Sequence, residues 1–521
     1  MKDSLLSIHW ALYQHVKQNK TSFVFAFLFT FVCFGFMLTH FSLTIDEETW
    51  INNSDPDLLR MWLVQGRFGL YALDAVISPY GRYVPFLWDF VAVVLWTSAG
   101  IVLSFCVSMF SNKPSRFALF AFCAVFSSLP LVTGEIISFS MFNLQQALAM
   151  LVMAFSVLYT FTYFQSKSRG LLAISGSLLF VATSFFQAFP TVYIAAVTLY
   201  LLLRIKSKER VKFKILLSDV LATVVAFAAG TGLYYAINSA ITTYIAPGGD
   251  AYFNNGYIGW NGSVQPLITT VKNCAKVVLG RGVVGGVALA ALTVIWLCCT
   301  VLLAAGKKGA KERLTVILTS VLLWVSPFSL SLVIAMRSIV GRTYLGLPLV
   351  SAAVVMLLLD AVSRVRWRKN VAVTAACFVL AVNAVTMNLY FYRSNNVYMQ
   401  DRFTAQSIVQ TFIDKGYEYS ETPVVFIGSY SNGVIHENWG PALGSFFSWD
   451  DGNIRRMVDF MRAEGYNIAS PTAEQRIRAL DIAEYMPCWP QADSVRQSND
   501  FIVVKLSDIG DSWTKINLPG Q

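Results

Sequence analysis

A series of eleven long apolar stretches constrains the fold of this chain more than any other feature. The stretches lie near residues 22–43, 84–110, 117–134, 142–164, 171–187, 190–204, 215–237, 283–305, 314–336, 343–361 and 371–391. A helix needs about 20 consecutive apolar residues to cross the hydrocarbon core of a bilayer. Charged residues make up 13% of the 521 residues, whereas about 25% is usual in a soluble domain. The sequence therefore predicts a polytopic α-helical membrane protein with about eleven transmembrane helices, and it excludes a soluble enzyme, a disordered chain and a fibrous protein.

Lysine and arginine are distributed unevenly between the loops that join these stretches. They are concentrated in the N-terminal residues and in alternate short loops, most densely at 204–214, 307–313 and 364–369. Because such loops stay in the cytoplasm, we expect a cytoplasmic N-terminus and, after eleven spans, a C-terminal segment on the opposite side. The formal net charge of +10 follows from these loops, so it reflects membrane topology and does not indicate binding of nucleic acid.

The pattern of charge and apolar spacing divides the chain into three parts. Residues 1–21 place apolar side chains at helical spacing, which predicts an amphipathic helix on the cytoplasmic surface of the membrane. Residues 22–391 contain the spans and two long outer loops, at 44–83 and 238–282. Residues 392–521 carry more acidic than basic side chains and are expected to fold as a separate domain.

The C-terminal segment alternates predicted helices with predicted strands. Residues 401–416 and 452–464 show a helical spacing of apolar side chains, and residues 423–428 and 501–506 are short apolar runs typical of buried strands. This alternation predicts an α/β domain. The segment contains no nucleophile elbow, phosphate-binding loop or dinucleotide fingerprint, so its motifs indicate no chemistry of its own.

Three consecutive carboxylates, Asp46, Glu47 and Glu48, follow the first span directly. Carboxylates at a membrane boundary are costly to remove from water, so they need solvent, a cation or a substrate beside them. One of them can act as a general base that takes a proton from an attacking hydroxyl; the alternative is the solvated start of a loop. Because consecutive residues on a turn point in different directions, we expect only one or two of them to face a common site.

No cofactor is required by the sequence. The adjacent acids permit a divalent cation, but the set of oxygen ligands is too sparse to demand one. A zinc site is not expected, because the chain has four histidines and no Cys-x-x-Cys pair.

The middle of the first outer loop, residues 58–71, is apolar and aromatic with interspersed arginines. Such a segment is expected to lie in the membrane interface as one or two short helices, although its aromatic residues are also typical of an interfacial belt. Arg67 follows Gly66, and a glycine lets the backbone come close to a ligand. Arg67 is therefore a candidate for substrate binding.

Two further arginines, Arg337 and Arg342, lie in a tight turn between spans on the outer side. Two guanidinium groups at headgroup depth can grip a phosphate; ordinary contact with lipid headgroups is the alternative. Glu135 and Gln187 lie at other outer helix ends. There they either line the same site or cap a helix.

The second outer loop, 238–282, is rich in aromatic, asparagine and glycine residues, among them Tyr257 and Trp260. Aromatic rings stack on the C–H face of a sugar, and a few placed amides bond its hydroxyl groups. This composition favours sugar binding by Tyr257 and Trp260. A glycine-rich surface loop with a belt of aromatic residues is the alternative.

An ordered set of motifs runs through most of the chain. In the first outer loop the set consists of Asp46-Glu47 and Trp62-x-x-Gln65-Gly66-Arg67-Phe68. In the C-terminal segment it consists of Asp401 and its helix, residues 423–428, Met486-Pro-Cys-Trp489 and residues 503–506. The set resembles the GtrII-like serotype-converting O-antigen glucosyltransferases, which belong to the C-type (GT-C) glycosyltransferases. That family often has tryptophan where this chain has Phe68, a difference that bears only on the packing of one helix.

This resemblance implies that the chain moves glucose from an undecaprenyl-phosphate carrier to the O-antigen of lipopolysaccharide, on the periplasmic side of the inner membrane. It also implies that the α/β domain at 392–521 is periplasmic and that the enzyme works beside a flippase and a separate enzyme that charges the lipid. The alternatives are a GT-C transferase that uses a different polyprenyl-phosphate sugar, and a transporter or flippase of lipid-linked sugars.

The candidate residues combine in one expected mechanism at the boundary between water and lipid. Asp46, with Glu47 next, is the expected base for the acceptor hydroxyl. Arg67, Arg337 and Arg342 are expected to hold the departing lipid phosphate, and a single displacement inverts the anomeric configuration. The other candidates for substrate binding are Glu48, Glu135, Gln187, Tyr257 and Trp260.

Overall fold

The computed structural model describes residues 2–52, 57–78, 84–111, 114–206, 213–247, 258–431 and 444–518. The chain forms two compact units. The helical unit comprises Met1–Leu38, Leu59–Pro79 and Val84–Asn388, and the sheet unit comprises Thr39–Leu58, Tyr80–Tyr83 and Leu389–Gln521.

Among the described residues, six helices are long and apolar enough to cross a membrane. They are Pro85–Ser108, Asn143–Ser166, Lys214–Ile245, Gly286–Ala305, Ala310–Ile334 and Arg366–Asp414. Two shorter helices, Arg116–Ser127 and Pro130–Ile137, form a pair bent by 42° and add a seventh span if the pair counts as one. The prediction of a polytopic α-helical membrane protein is confirmed.

The predicted count of eleven spans is not supported, because four of the apolar stretches contain helices that are too short. These helices are Lys20–Cys33 with 14 residues, Arg169–Phe185 and Pro190–Lys206 with 17 each, and Gly346–Ala361 with 16. A helix that crosses the hydrocarbon core needs about 20 residues. Phe186 is extended and ends one helix, and Pro190 begins the next, at the position where the sequence separates the stretches 171–187 and 190–204.

Local sequence explains where several of these helices begin. Pro85 and Pro190 stand at the first helical position, where the missing N–H of proline costs nothing. Ser115 precedes the helix Arg116–Ser127, and its hydroxyl accepts a hydrogen bond from the backbone N–H of Ala118 at 3.2 Å. Further helices among the described residues of this unit include Lys2–Gln18, Arg60–Val64, Phe68–Ile77 and Gln265–Val278.

Small residues let two helices of the helical unit approach closely. A Cβ atom added at Gly176 would lie 3.1 Å from the carbonyl oxygen of Ala226, and one added at Gly230 would lie 2.6 Å from that of Gly176. Gly176 belongs to the helix Arg169–Phe185 and Gly230 to the helix Phe213–Ala240. Such contacts are typical of membrane helices, which associate by close packing because lipid gives them no hydrophobic driving force.

The described residues of the sheet unit include a three-stranded sheet. Its strands are β1 (Val424–Ile427), β2 (Val495–Gln497) and β3 (Ile502–Lys505), in the order β1-β3-β2. β1 runs parallel to β3, and β2 runs antiparallel to it. All residues of β1 and β3 are buried, as is usual for strands covered on both faces. Among the described residues, the α-helices that follow β1 are Ile454–Ala463, Ala473–Glu484 and Asp511–Asn517.

The segment Thr39–Leu58 belongs to the sheet unit, although it directly follows the first apolar stretch. Leu43 and Ile45 are 4% and 3% exposed and are part of the same hydrophobic core as the strands. Asn52 donates a hydrogen bond to the backbone carbonyl of Asp459 at 2.5 Å. Nothing in the sequence indicated that this acidic segment folds with C-terminal residues, because the partners are hundreds of positions apart.

We expect Gly230→Ala to lower the thermal stability of the protein, because the new methyl group would meet the Gly176 carbonyl at 2.6 Å. Overpacking of this kind costs about 1–3 kcal/mol. Gly232→Ala is the matched control, since it lies in the same helix and its Cβ would have nothing within 4 Å. Thermal unfolding of the two detergent-purified variants and the wild type gives the melting temperatures to be compared. Equal melting temperatures would show that the two helices are not in close contact.

Candidate functional site

The acidic segment after the first apolar stretch is a tight turn that leads into the helix Glu47–Asn52. The backbone N–H of Thr44 donates to Oε2 of Glu47 at 2.9 Å, and the N–H of Glu47 donates to the carbonyl of Thr44 at 3.1 Å. This reciprocal pair resembles a capping box. Asp46, inside the turn, has a φ of 82°, a left-handed conformation that is uncommon for a residue other than glycine.

The three carboxylates of this turn have different environments. The side chain of Asp46 is 52% exposed, whereas that of Glu48 is only 2% exposed. Glu47 is fully buried, and its carboxylate shapes the turn through Thr44. The Oε2 atom of Glu48 is buried, and no described residue hydrogen-bonds to it. Asp46 is therefore the carboxylate of this cluster that a substrate can reach from solvent.

One guanidinium group links three acids of the sheet unit. Arg456, on the helix Ile454–Ala463, places Nη1 2.5 Å from Oε1 of Glu48 and Nη2 3.1 Å from Oδ1 of Asp46. Its Nη2 also lies 3.4 Å from Oδ2 of Asp450. Sequence reasoning missed Arg456, because a residue 408 positions from Glu48 shares no motif or helical period with it.

Burial raises the pKa of Glu48 from 4.5 to about 8, although the guanidinium of Arg456 opposes the shift. The charge of Asp46 acts in the same direction as burial. Because the folded state holds this proton more tightly than the unfolded chain, ionisation of Glu48 opposes folding. The associated stability is complete below about pH 4.5 and is lost as the pH rises through about 8.

A second group of candidate residues lies in the helical unit, around the turn between the helices Arg60–Val64 and Phe68–Ile77. Gly66 has a φ of +72°. The amide nitrogen of Gln187 donates to the carbonyl of Gln65 at 2.7 Å, and the hydroxyl of Tyr234 donates to the carbonyl of Gly66 at 2.9 Å. A Cβ atom at Gly66 would lie 2.8 Å from the Tyr234 hydroxyl, so protein groups occupy the space beside this glycine where we expected a ligand.

Arg67 is held by aromatic rings at the same turn. Its guanidinium carbon lies 5.5 Å from the ring centroid of Trp62 and 5.1 Å from that of Phe186, distances typical of cation–π contacts. The next residue, Phe68, stacks on Tyr234 with centroids 5.7 Å apart. Arg67 thus lies on the turn to which Gln187 donates a hydrogen bond. The sequence did not single out Tyr234, which is a tyrosine inside an apolar stretch.

The structure pairs two candidate residues with each other. Nη1 of Arg342 lies 2.8 Å from Oε1 of Glu135, and its guanidinium carbon is 5.5 Å from the ring centroid of Phe139. A Cβ atom at Gly341 would lie 1.9 Å from the carbonyl oxygen of Leu131, so only glycine allows this close approach. The positive charge of Arg342 is therefore compensated within the protein.

Arg337 differs from Arg342, because its side chain is exposed and no carboxylate of the described residues lies within 4.0 Å of it. The loop of Trp260 docks beside it: the indole N–H donates to the carbonyl of Val333 at 2.5 Å, and Asn273 donates to the carbonyl of Arg337 at 3.1 Å. Trp260 remains 50% exposed. Tyr257, the other aromatic candidate, lies outside the described residues.

The candidate residues are divided between the two units. The acids Asp46, Glu47 and Glu48 belong to the sheet unit, whereas the arginine candidates belong to the helical unit. The expectation that acids and arginines meet at one boundary stays a prediction. Within the described ranges, no three histidine, cysteine, aspartate or glutamate side chains converge so that they could hold a metal ion.

Comparison with known proteins assigns the chain to a family. The fold defines a polytopic α-helical membrane protein with a small C-terminal sheet. A family model described as glucosyl transferase GtrII matches residues 35–359, which is more than half of the chain, and the chain belongs to this family. The comparisons with curated proteins and with solved structures give no match. The resemblance drawn from the motifs is confirmed, and the chain is a glucosyltransferase.

We expect Glu48→Gln to flatten the pH dependence of stability, because the amide imitates the protonated acid that the fold prefers. Relative to this variant, the wild type should lose stability between about pH 5 and pH 8, on the order of 1.4 kcal/mol for each unit by which the pKa is raised. Glu474→Gln is the control, since that side chain is 83% exposed. Melting temperatures at pH 5, 7 and 9 measure the effect, and parallel curves for the wild type and Glu48→Gln would contradict it.

Proposed function

We propose that the chain is an inverting glycosyltransferase that moves a glucosyl residue from undecaprenyl-phosphate-glucose to the O-antigen of lipopolysaccharide. Family membership supports glucosyl transfer, and the number of apolar helices supports a donor whose long lipid tail lies in the membrane. The distribution of lysine and arginine supports a reaction on the periplasmic side of the bacterial inner membrane. The observation that carries the proposal is the half-exposed carboxylate of Asp46, held in an otherwise buried acidic turn.

In the proposed reaction, Asp46 takes the proton from the acceptor hydroxyl as the hydroxyl oxygen attacks the anomeric carbon. The new C–O bond forms on one face of the sugar while the bond to the lipid phosphate breaks on the other. The bonding pair leaves with the polyprenyl phosphate, which needs little acid assistance. One displacement inverts the configuration at the anomeric carbon. Glu47 remains the second candidate base, although its burial and its bond to Thr44 support a role in shaping the turn.

The departing phosphate needs positive charge at headgroup depth. Arg337 is the best candidate, because its guanidinium is exposed and unpaired within the described ranges. Arg67 is a helper, and a phosphate would have to compete with Glu135 for Arg342. Trp260 offers a half-exposed ring for stacking on a sugar. Glu48, Gln187 and Tyr257 stay predicted substrate contacts.

The enzyme is expected to work beside a flippase that delivers the lipid-linked sugar and an enzyme that charges the lipid. No metal is required by this scheme. Purified protein should be incubated with several polyprenyl-phosphate sugars and defined O-antigen fragments, with and without a chelator. Transfer from the glucose donor alone, unaffected by the chelator, supports the proposal. Preference for another sugar donor would identify a different GT-C transferase, and translocation without transfer would identify a flippase.

We expect Asp46→Asn to lower glucosyl transfer by a factor of about 10² to 10⁴, the usual contribution of a general base. The amide keeps the shape of the side chain but cannot accept the proton. Asp508→Asn is the control, since that acid is 89% exposed and contacts Lys505, away from the acidic turn. Transfer is measured with purified protein and radiolabelled donor. Normal transfer by both Asp46→Asn and Glu47→Gln would place the base elsewhere, with Glu135 the next candidate.

We expect Arg337→Ala to raise the KM for the lipid-linked donor roughly tenfold and to change the KM for the acceptor little, because a partly exposed charge-assisted hydrogen bond contributes about 1–2 kcal/mol. Arg281→Ala is the matched control, as another exposed arginine of the predicted outer loops. Initial rates over a matrix of donor and acceptor concentrations separate the two constants. An unchanged KM for the donor would count against a phosphate contact.

A further inference from the structure

Arg456 lies beside Asp46, the proposed base. It lies beyond the range 35–359 that the family model matches, in the C-terminal part of the sheet unit. Its side chain is only 13% exposed, and it contacts the carboxylates of Asp46, Glu48 and Asp450. A buried guanidinium that faces three acids is costly to desolvate unless those contacts are made.

The backbone around these contacts is held in an uncommon conformation. Asp46 and Asp450 have φ angles of 82° and 54°, and a left-handed conformation at a residue other than glycine costs about 1–3 kcal/mol. Nη2 of Arg456 lies between the two carboxylates, 3.1 Å from the first and 3.4 Å from the second. The rigid fork of an arginine can hold two acids in fixed directions, which the single ammonium of lysine cannot do.

The other charged groups around the turn are engaged elsewhere. Arg455 and Arg462 pair with Asp459, which also accepts a hydrogen bond from the hydroxyl of Thr49. The carboxylate of Glu47 is bonded to the N–H of Thr44. Among the described residues, Arg456 is the cation that pairs with Asp46.

We propose that Arg456 is a positioning residue of the transfer reaction, which points the ionised carboxylate of Asp46 toward the acceptor hydroxyl. The inference rests on the proposed function, in which Asp46 is the base. During transfer, Asp46 accepts the proton of the acceptor, and its contact with Arg456 loses its ionic character. Arg456 keeps its contacts with Glu48 and Asp450 during this change, so the turn holds its shape. The proton then passes from the half-exposed Asp46 to water.

Arg456→Gln and Arg456→Lys test the proposal in the full-length protein, with Arg455→Gln as the matched control from the neighbouring position. Loss of positioning should lower kcat by about 10- to 100-fold and leave the KM for undecaprenyl-phosphate-glucose within about twofold. Arg456→Lys should restore part of kcat, since it keeps the charge but not the fork.

A second comparison separates positioning from folding. If Arg456 acts through Asp46, then Arg456→Gln should lower transfer no further in a protein that already carries Asp46→Asn. Additive losses would overturn the proposal. If Arg456→Gln does not fold, as judged by its melting temperature, Arg456→Lys decides, and a Lys variant with wild-type kcat overturns the proposal.

The failures of the two proposals are distinguishable. Normal transfer by Asp46→Asn would remove the proposed base, whatever Arg456 does. An inactive Asp46→Asn together with an Arg456→Gln variant that matches Arg455→Gln in kcat would leave the proposed base in place and overturn the role of Arg456 alone.

Discussion

A charged side chain that is removed from water must be paired or must take up a proton, and this constraint governs the polar sites of the chain. In the helical unit, Glu135 pairs with Arg342. In the sheet unit, Glu48 pairs with Arg456, and burial raises its pKa to about 8. Each pair joins segments that are distant in sequence, so the same contacts that neutralise the charge also hold the unit together.

Because of this constraint, the adjacent acids Asp46, Glu47 and Glu48 have different environments. Glu47 is satisfied by a backbone N–H and closes the turn. Glu48 is buried, and its Oε1 atom contacts Arg456. Asp46 is left half exposed, with a cation on one side and solvent on the other. Carboxyl groups of similar intrinsic acidity acquire different roles from their surroundings, and the arrangement favours Asp46 as the group that meets a substrate.

The helical membrane class was predictable because apolar runs of spanning length are typical of membrane helices and rare in soluble domains. The number of spans was not, because an apolar stretch does not fix where its helix ends: the stretch at 22–43 contains the helix Lys20–Cys33, which has only 14 residues. Gly66 shows a similar limit. The sequence indicated that another group comes close to the backbone of Gly66. In the structure that group is the hydroxyl of Tyr234 and not a ligand.

The sequence by itself determined the membrane class, the family and which acids and arginines are candidates for chemistry, because apolar periodicity, loop charge and short motifs are local properties. Only the tertiary structure decided which of them meet. It joined Arg342 to Glu135 across 207 positions and Arg456 to Glu48 across 408, and it placed residues 39–58 in the sheet unit. Contacts between residues so far apart in sequence depend on how helices and strands pack against each other, and this packing leaves no local pattern in the sequence.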